Sequence, residues 1–210
     1  MHPERERQRS RFCFQSMSGT IIVINGASSS GKTSIVQALQ DRLDAPYLDM
    51  GVARFLFMMP KRYLNRPLWD DVLGNADRAG ETGRVLFSGM HHAIAAAARA
   101  GLNVIADHVL VEKHWVDECA ALFADLSAYL IGIQCPLEVL EKRERQRKDR
   151  TLGQARAQFP LIHQYATYDL EVDSSVITPE QCADKIITRL QSPPKALKRL
   201  NPECYNASDV

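Results

Sequence analysis

A chain of 210 residues with 26 Lys and Arg against 25 Asp and Glu carries a formal net charge of +1, which excludes a global field drawing it to nucleic acid or acidic membranes. Its 45% hydrophobic and 24% charged residues are those of an ordinary globular domain, long enough to bury a substantial core. The five cysteines, Cys13, Cys119, Cys135, Cys182 and Cys204, are odd in number and lack C-x-x-C spacing, which argues against a disulfide framework or a zinc site and predicts a reducing, cytoplasmic setting.

Residues 1–18 are basic without an apolar core segment, and are expected to form a disordered arm rather than a signal peptide. Residues 19–192 are expected to form one α/β domain, and 193–210 a loose tail. No apolar run approaches the length of a membrane span.

The first apolar run, Ile21 to Ile24, has the length of a buried strand, and Gly26-Ala27-Ser28-Ser29-Ser30-Gly31-Lys32-Thr33 follows directly. Helical apolar spacing through Ile35, Val36 and Leu39 comes next. Strand, glycine-bounded loop and helix together supply the context that the P-loop pattern requires. Consecutive backbone N–H groups and a helix N-terminus cradle phosphate oxygens there, from Gly26 to Ser34. Lys32 neutralises β/γ charge and the Thr33 hydroxyl can ligate Mg²⁺. ATP and Mg²⁺ are the cofactors this predicts.

Pro46 to Gly51 predicts a second short strand with Asp49 near its C-terminal end, where ligands of open α/β sheets gather. Phe55 to Pro60 predicts an apolar helix packed in the core, the rival being an apolar wall for a substrate. Residues 61–84, with Trp69 among them, show no clean period and are expected to be irregular. Leu86 to Ala100 predicts a helix stopped by Gly101. Leu102 to Asp107 is an apolar strand ending in an acid, the Walker-B arrangement that sets a carboxylate beside Mg²⁺. His108 is expected to be a polar residue at that strand end. A helix over 112–126 with Trp115 in its apolar stripe and a strand over 129–135 follow. Pro136 opens a helix that runs into Arg143-Glu-Arg-Gln-Arg147-Lys-Asp-Arg150. If that helix persists, Arg143, Arg147 and Arg150 share a face and can close on phosphates as a lid. A loop and helix carrying His163 span 151–168. Asp169 to Asp173 predicts the last strand, and Thr178-Pro-Glu180 caps a final helix reaching Leu190.

The order of P-loop, Gly51-Val52, Ile105-Ala-Asp107, Cys135-Pro136, Arg143-Glu-x-x-Arg147-x-Asp149-Arg150, His163 and Tyr168-Asp-Leu-Glu-Val-Asp173 resembles the chloramphenicol phosphotransferase family, from about Gly19 to about Leu190. The resemblance implies a three-layer P-loop kinase fold with a mostly parallel sheet flanked by helices and an Arg-rich lid. It also implies ATP-dependent phosphorylation of a small-molecule hydroxyl, with Asp107 near Mg²⁺ and substrate. The family pattern after strand two is Gly-Val-Asp, its aspartate the proposed base, and here Ala53 stands in that place. Asp49, Asp107 or His108 takes over, or the substrate differs, or transfer is lost; Asp49, the nearest acid to position 53, is the proton acceptor expected. Lys32, Asp49, Asp107, Arg143 and Arg147 are therefore the catalytic candidates, with Arg150 on the nucleotide. The rival function is an ATP-binding degenerate kinase. A kinase of nucleic-acid ends is encouraged only by the basic arm, and a homodimer is an open arrangement.

Overall fold

The structure, a computed structural model, describes residues 18–60, 80–147 and 152–200. The basic arm, Trp69 and its neighbours, Asp149, Arg150 and the last ten residues lie outside that range.

A five-stranded sheet, all parallel, forms the middle layer: β1 (Thr20–Asn25), β2 (Tyr47–Asp49), β3 (Asn103–His108), β4 (Ser127–Gln134) and β5 (Leu170–Asp173), in spatial order β2-β3-β1-β4-β5. β1 lies at the centre, with Ile24 opposite Asp107 of β3 and Ile131 of β4. The register brings the C-terminal ends of β1 and β3 side by side, so the loop after Asn25 and the carboxylate of Asp107 emerge on the same edge.

Alternation along the strands sends side chains to opposite faces, and each face has its own core. Ile21 and Val23, with Val104, Ala106 and Leu130, pack against α3 (Gly80–Arg99), α4 (Lys113–Leu122) and α8 (Ala196–Leu200). Ile22 and Ile24, with Ile105, Ile131 and Val172, pack against α1 (Lys32–Arg42) and α7 (Pro179–Leu190). Both faces covered is the condition for a parallel sheet, and it explains why its strands read as continuous apolar runs. The three-layer α/β architecture expected from the sequence is present.

Local signals account for several boundaries. Gly101 takes φ 93 just past α3. At α7, the Thr178 hydroxyl accepts from the Gln181 N–H while the Gln181 side chain accepts from the Thr178 N–H, a complete capping box. Trp115 is buried and stacks on Phe87 at 4.4 Å between centroids.

Three expectations are corrected. α2 (Val52–Phe57) buries Val52 and Leu56 but leaves Phe57 and Met58 exposed, so the apolar segment is only half core. The arginine helix α5 (Leu137–Gln146) ends earlier than its charges suggest: Arg147 is already extended at φ −88, ψ 121, and shares no helical face with Arg143. From Pro193 to Leu200 the chain is not loose. Asp169 accepts from the N–H groups of Lys195 (2.7 Å) and Ala196 (3.2 Å), and Ala196 and Leu197 of α8 are buried.

Candidate active site

The loop between β1 and α1 turns through two left-handed residues, Ser29 at φ 65 and Gly31 at φ 86. Gly31 occupies the N-cap of α1 without any side-chain cap, so the first N–H groups of α1 stay directed into the loop's concavity. Lys32 folds back over that loop, its Nζ donating to the carbonyls of Gly26 at 2.7 Å and Ala27 at 2.9 Å. The hydroxyls of Ser29 and Ser30 are buried with no hydrogen-bond partner among the described residues. Buried polar atoms are costly to leave unmade, and acceptor oxygens of a phosphate would satisfy them.

This loop forms one wall of an open cavity of about 790 Å³, within the range of small-molecule sites. Ser28, Ser29, Gly31, Lys32, Thr33 and Ser34 line it from the loop side; Val52, Ala53, Asp107 and Val109 line it from the sheet edge. Arg143 and Arg147 contribute the third wall. Gly26, Ala27 and Ser30 shape the loop from behind.

Asp107 is half-buried at the end of β3, packed against the backbone of Gly51, where a Cβ would overlap its carboxylate. Thr33 and Asp107 both border the cavity. Mg²⁺ is held by one or two carboxylates with substrate phosphates rather than by a full protein cage. A Thr–Asp pair therefore fits it, and among the described residues no cluster of three or more His, Cys, Asp or Glu is arranged around a metal.

Arg143 is anchored rather than swinging free. Its Nη2 donates to the Ser174 carbonyl at 2.7 Å and its Nη1 to the Ser174 hydroxyl at 3.3 Å. The same Nη1 lies 3.8 Å from where a Cβ on Gly31 would sit, so the guanidinium rests beside the phosphate loop. Arg150 lies outside the described residues.

Asp49 is placed differently from the other candidates. One oxygen accepts from the Gly51 N–H at 3.2 Å and the other from Arg54 Nε at 2.8 Å, and the side chain is not among those lining the cavity. This pairing is the first cause of the raised pKa of the Arg54 guanidinium, with Asp107 a distant contributor.

His108 is 1% exposed and belongs to a directional chain. Its Nδ1 accepts from the Val109 N–H at 2.8 Å, so Nε2 carries the proton toward Nε2 of His91, 2.8 Å away. His91 Nδ1 then donates to Glu118, 2.5 Å away, which also accepts from the Ser88 hydroxyl at 2.6 Å. Burial, then the neighbouring His91, holds the His108 pKa well below the usual histidine range, as the neutral tautomer requires. His163 Nδ1 accepts from the Tyr168 hydroxyl at 2.6 Å. Both histidines have ring nitrogens engaged within the fold.

Sequence reasoning passed over Glu144, Gln154 and Gln158. α6 (Gln154–Gln158) is short, and its two glutamines four residues apart were the available signal; both are buried against the phosphate loop.

A family model described as chloramphenicol phosphotransferase-like protein matches residues 19–191. Two strains of Mycobacterium tuberculosis hold a relative provisionally named as an O-phosphotransferase, 30% identical over 212 residues, covering 92% of this chain and 93% of the relative. Among solved structures, a sugar kinase from Janibacter sp. HTCC2649 superposes with a TM-score of 0.61 at 18% identity, covering 82% of this chain and 95% of that one. The Mycobacterium tuberculosis APS kinase, solved in complex with AMPPNP and APS, gives 0.56 at 16% identity, covering 83% and 99%. At such identities the two structures speak for a shared fold.

Proposed function

The chain belongs to the chloramphenicol phosphotransferase-like family, and we propose that it moves the γ-phosphoryl group of Mg·ATP onto an alcohol of a small molecule. The observation that carries this is the joining of three walls around one cavity: loop amides with Lys32, Asp107 at the sheet edge, and Arg143 beside Gly31.

In this reading the loop amides, Lys32 and the unpartnered Ser29 hydroxyl hold the phosphates. Thr33 and Asp107 would hold Mg²⁺, which supplies charge neutralisation on the phosphates. A bond forms between the acceptor oxygen and Pγ while the bond from Pγ to the ADP oxygen breaks. Arg143 and Arg147 offset the charge spread over the equatorial oxygens of a loose transition state. The acceptor's proton needs a base within hydrogen-bond reach. Asp107 lines the cavity and Asp49 does not, so Asp107 is the acceptor of that proton in this reading. The acceptor is an antibiotic or metabolite bearing a hydroxyl, entering beside Ala53.

The reading of an ATP-binding module without transfer rests on Ala53; a carboxylate already in the cavity weighs against it. Nucleic acid is disfavoured by the near-neutral charge. No described helix is long and apolar enough to cross a membrane; a cytosolic location is our proposal.

The test is transfer of label from γ-labelled ATP across a panel of hydroxylated antibiotics and metabolites, with Lys32→Ala as control. Labelled product lost in the control supports the kinase and names its acceptor class. Tight Mg·ATP binding with no transfer to any acceptor would favour the module instead.

A further inference from the structure

Gln154 and Gln158 of α6 are 6% and 1% exposed, and at four residues apart they share a helical face. That face meets the phosphate loop. The Ser28 N–H donates to Gln158 Oε1 at 2.6 Å, and the Ser28 hydroxyl lies 3.5 Å from Gln154 Oε1. A few residues on, Asn25 Nδ2 donates to the Ile162 carbonyl at 2.7 Å, a second tie between this segment and the strand that launches the loop.

The other end of α6 is tied to the arginine helix. Glu144 of α5 is 2% exposed, and its carboxylate accepts from the N–H groups of Gly153 at 2.8 Å and Ala155 at 3.0 Å. It thereby takes up donors that α6 leaves open at its start. Glu144 directly follows Arg143 and precedes Arg147 by three residues. A continuous bonded path runs from the arginine helix through Glu144, α6 and Gln158 to Ser28.

We propose that Gln158 is a positioning residue of the phosphate loop, and that Glu144 extends its hold to α5, so that the loop amides and Arg143 are presented to the nucleotide as one unit. This rests on the Mg·ATP reading above. The neutrality of glutamine is part of the design. Its carbonyl satisfies the Ser28 N–H, whereas a carboxylate in the same place, at the wall of the cavity, would set a negative charge beside an anion site.

The experiment is equilibrium titration of full-length protein with Mg·ATP, with a thermal melt of every variant. Gln158→Leu leaves the Ser28 N–H buried without its acceptor, and roughly tenfold weaker Mg·ATP binding is expected. Gln158→Glu keeps an acceptor oxygen and the side-chain length; it is expected to melt near wild type yet to bind Mg·ATP at least as poorly as Gln158→Leu. A merely structural role for Gln158 would lower the melt of Gln158→Leu without weakening Mg·ATP binding by the folded protein; if Gln158→Leu fails to fold, Gln158→Asn, neutral but one methylene short of the Ser28 N–H, takes its place. Glu144→Gln withdraws one acceptor from α6, and the double variant with Gln158→Leu should bind within about twofold of Gln158→Leu alone, because members of one network do not add. Wild-type affinity in folded Gln158→Leu would overturn the positioning role, wild-type affinity in Gln158→Glu would overturn the need for a neutral side chain, and full additivity would overturn the link to α5. Failure of the wild-type protein to bind Mg·ATP would instead overturn the nucleotide reading, and this inference with it.

Discussion

Gly51 and Asp107 are packed so closely that residue 51 has no room for a side chain: a Cβ there would lie 2.8 Å from Asp107 Cγ and closer still to Oδ1. The backbone of Gly51, at φ −75 and ψ 166, is one that any residue adopts, so space alone demands the glycine. Gly51→Ala must push the carboxylate toward the cavity or displace α2. We expect phosphoryl transfer to fall by roughly ten- to a hundredfold, the scale of 1–3 kcal/mol for overpacking at a tight contact, while Mg·ATP binding to the loop survives. Steady-state kinetics beside a nucleotide titration would check this; equal loss of both would mean that the loop itself had moved.

The two acids near the site are separable by the same kinetics. Asp107→Asn removes the carboxylate that we propose takes the acceptor's proton, and a loss on the order of 10²–10⁴-fold in turnover is expected. Asp49→Asn relaxes the hold on Arg54 and the Gly51 N–H and is expected to cost only about threefold, the size of one exposed pair. A reversal of that ranking would return the base to Asp49.

The pKa of Glu118 is lowered to about 2, first by the hydrogen bond from His91 and further by that from Ser88, against the opposing effect of burial. Because the folded value lies below the ordinary 4.5, this carboxylate contributes stability that is complete above pH 4.5 and is lost as pH falls toward 2. Glu118→Gln removes the contribution. The difference in melting temperature between wild type and Glu118→Gln should therefore stay constant from pH 7 to about 5 and shrink steadily below it. A difference independent of pH down to 2.5 would refute the assignment.

Features written in consecutive residues were legible from the sequence. The P-loop is one: its glycines, Lys32 and Thr33 are contiguous, and backbone geometry makes their function local. The buried strands were equally plain, because a parallel sheet covered on both faces leaves its apolar runs uninterrupted. The end of α5 was not: charges at three- and four-residue spacing continue past Gln146, and nothing in them marks where the backbone turns extended. Nor was the setting of Asp49, since a strand end places a Cα but not the carboxylate, which here turns back to Gly51 and Arg54. The glutamine staple was only half legible: the spacing of Gln154 and Gln158 marks a shared face, but their partner Ser28 lies 130 residues away from Gln158 and nothing in the sequence joins the two. Glu144 stands inside a basic run, where a solvated carboxylate paired with its neighbours would leave the same sequence; burial alone separates the two.

Asp169 shows what holds the C-terminal segment. Its side chain is fully buried, paired with Arg189 at 2.9 Å, and it also accepts from the N–H groups of Leu130, Lys195 and Ala196. Asp169→Ala would remove the carboxylate partner of Arg189, leaving its guanidinium only the carbonyls of residue 169, Ser192 and Pro193, and leave three backbone donors without their acceptor. A loss of about 3–5 kcal/mol is expected, seen as a lower midpoint in urea, with amides of α8 losing hydrogen-exchange protection first. An unchanged midpoint would mean that solvent reaches these groups.

Ala53 faces the cavity together with Asp107, at the position where the sequence resemblance leads an aspartate to be expected. Ala53→Asp restores a carboxylate at the start of α2, where the added acid would sit near Asp107. Two carboxylates in one site raise the pKa of one of them, which suits an acid that must accept a proton and release it again. Arg54 is already committed to Asp49, so the new group should not be neutralised by its neighbour. We therefore expect Ala53→Asp to gain transfer of label from ATP to chloramphenicol, lost again when Lys32→Ala is added. On the acceptor that the wild-type protein uses, the gain should stay below about tenfold, since Asp107 already serves there. Gain on chloramphenicol would show that the acceptor pocket kept its family shape while the base moved. Absence of gain, with Mg·ATP binding intact, would place the difference in the pocket walls around Val52 and Val109, and would mean that this chain serves another alcohol.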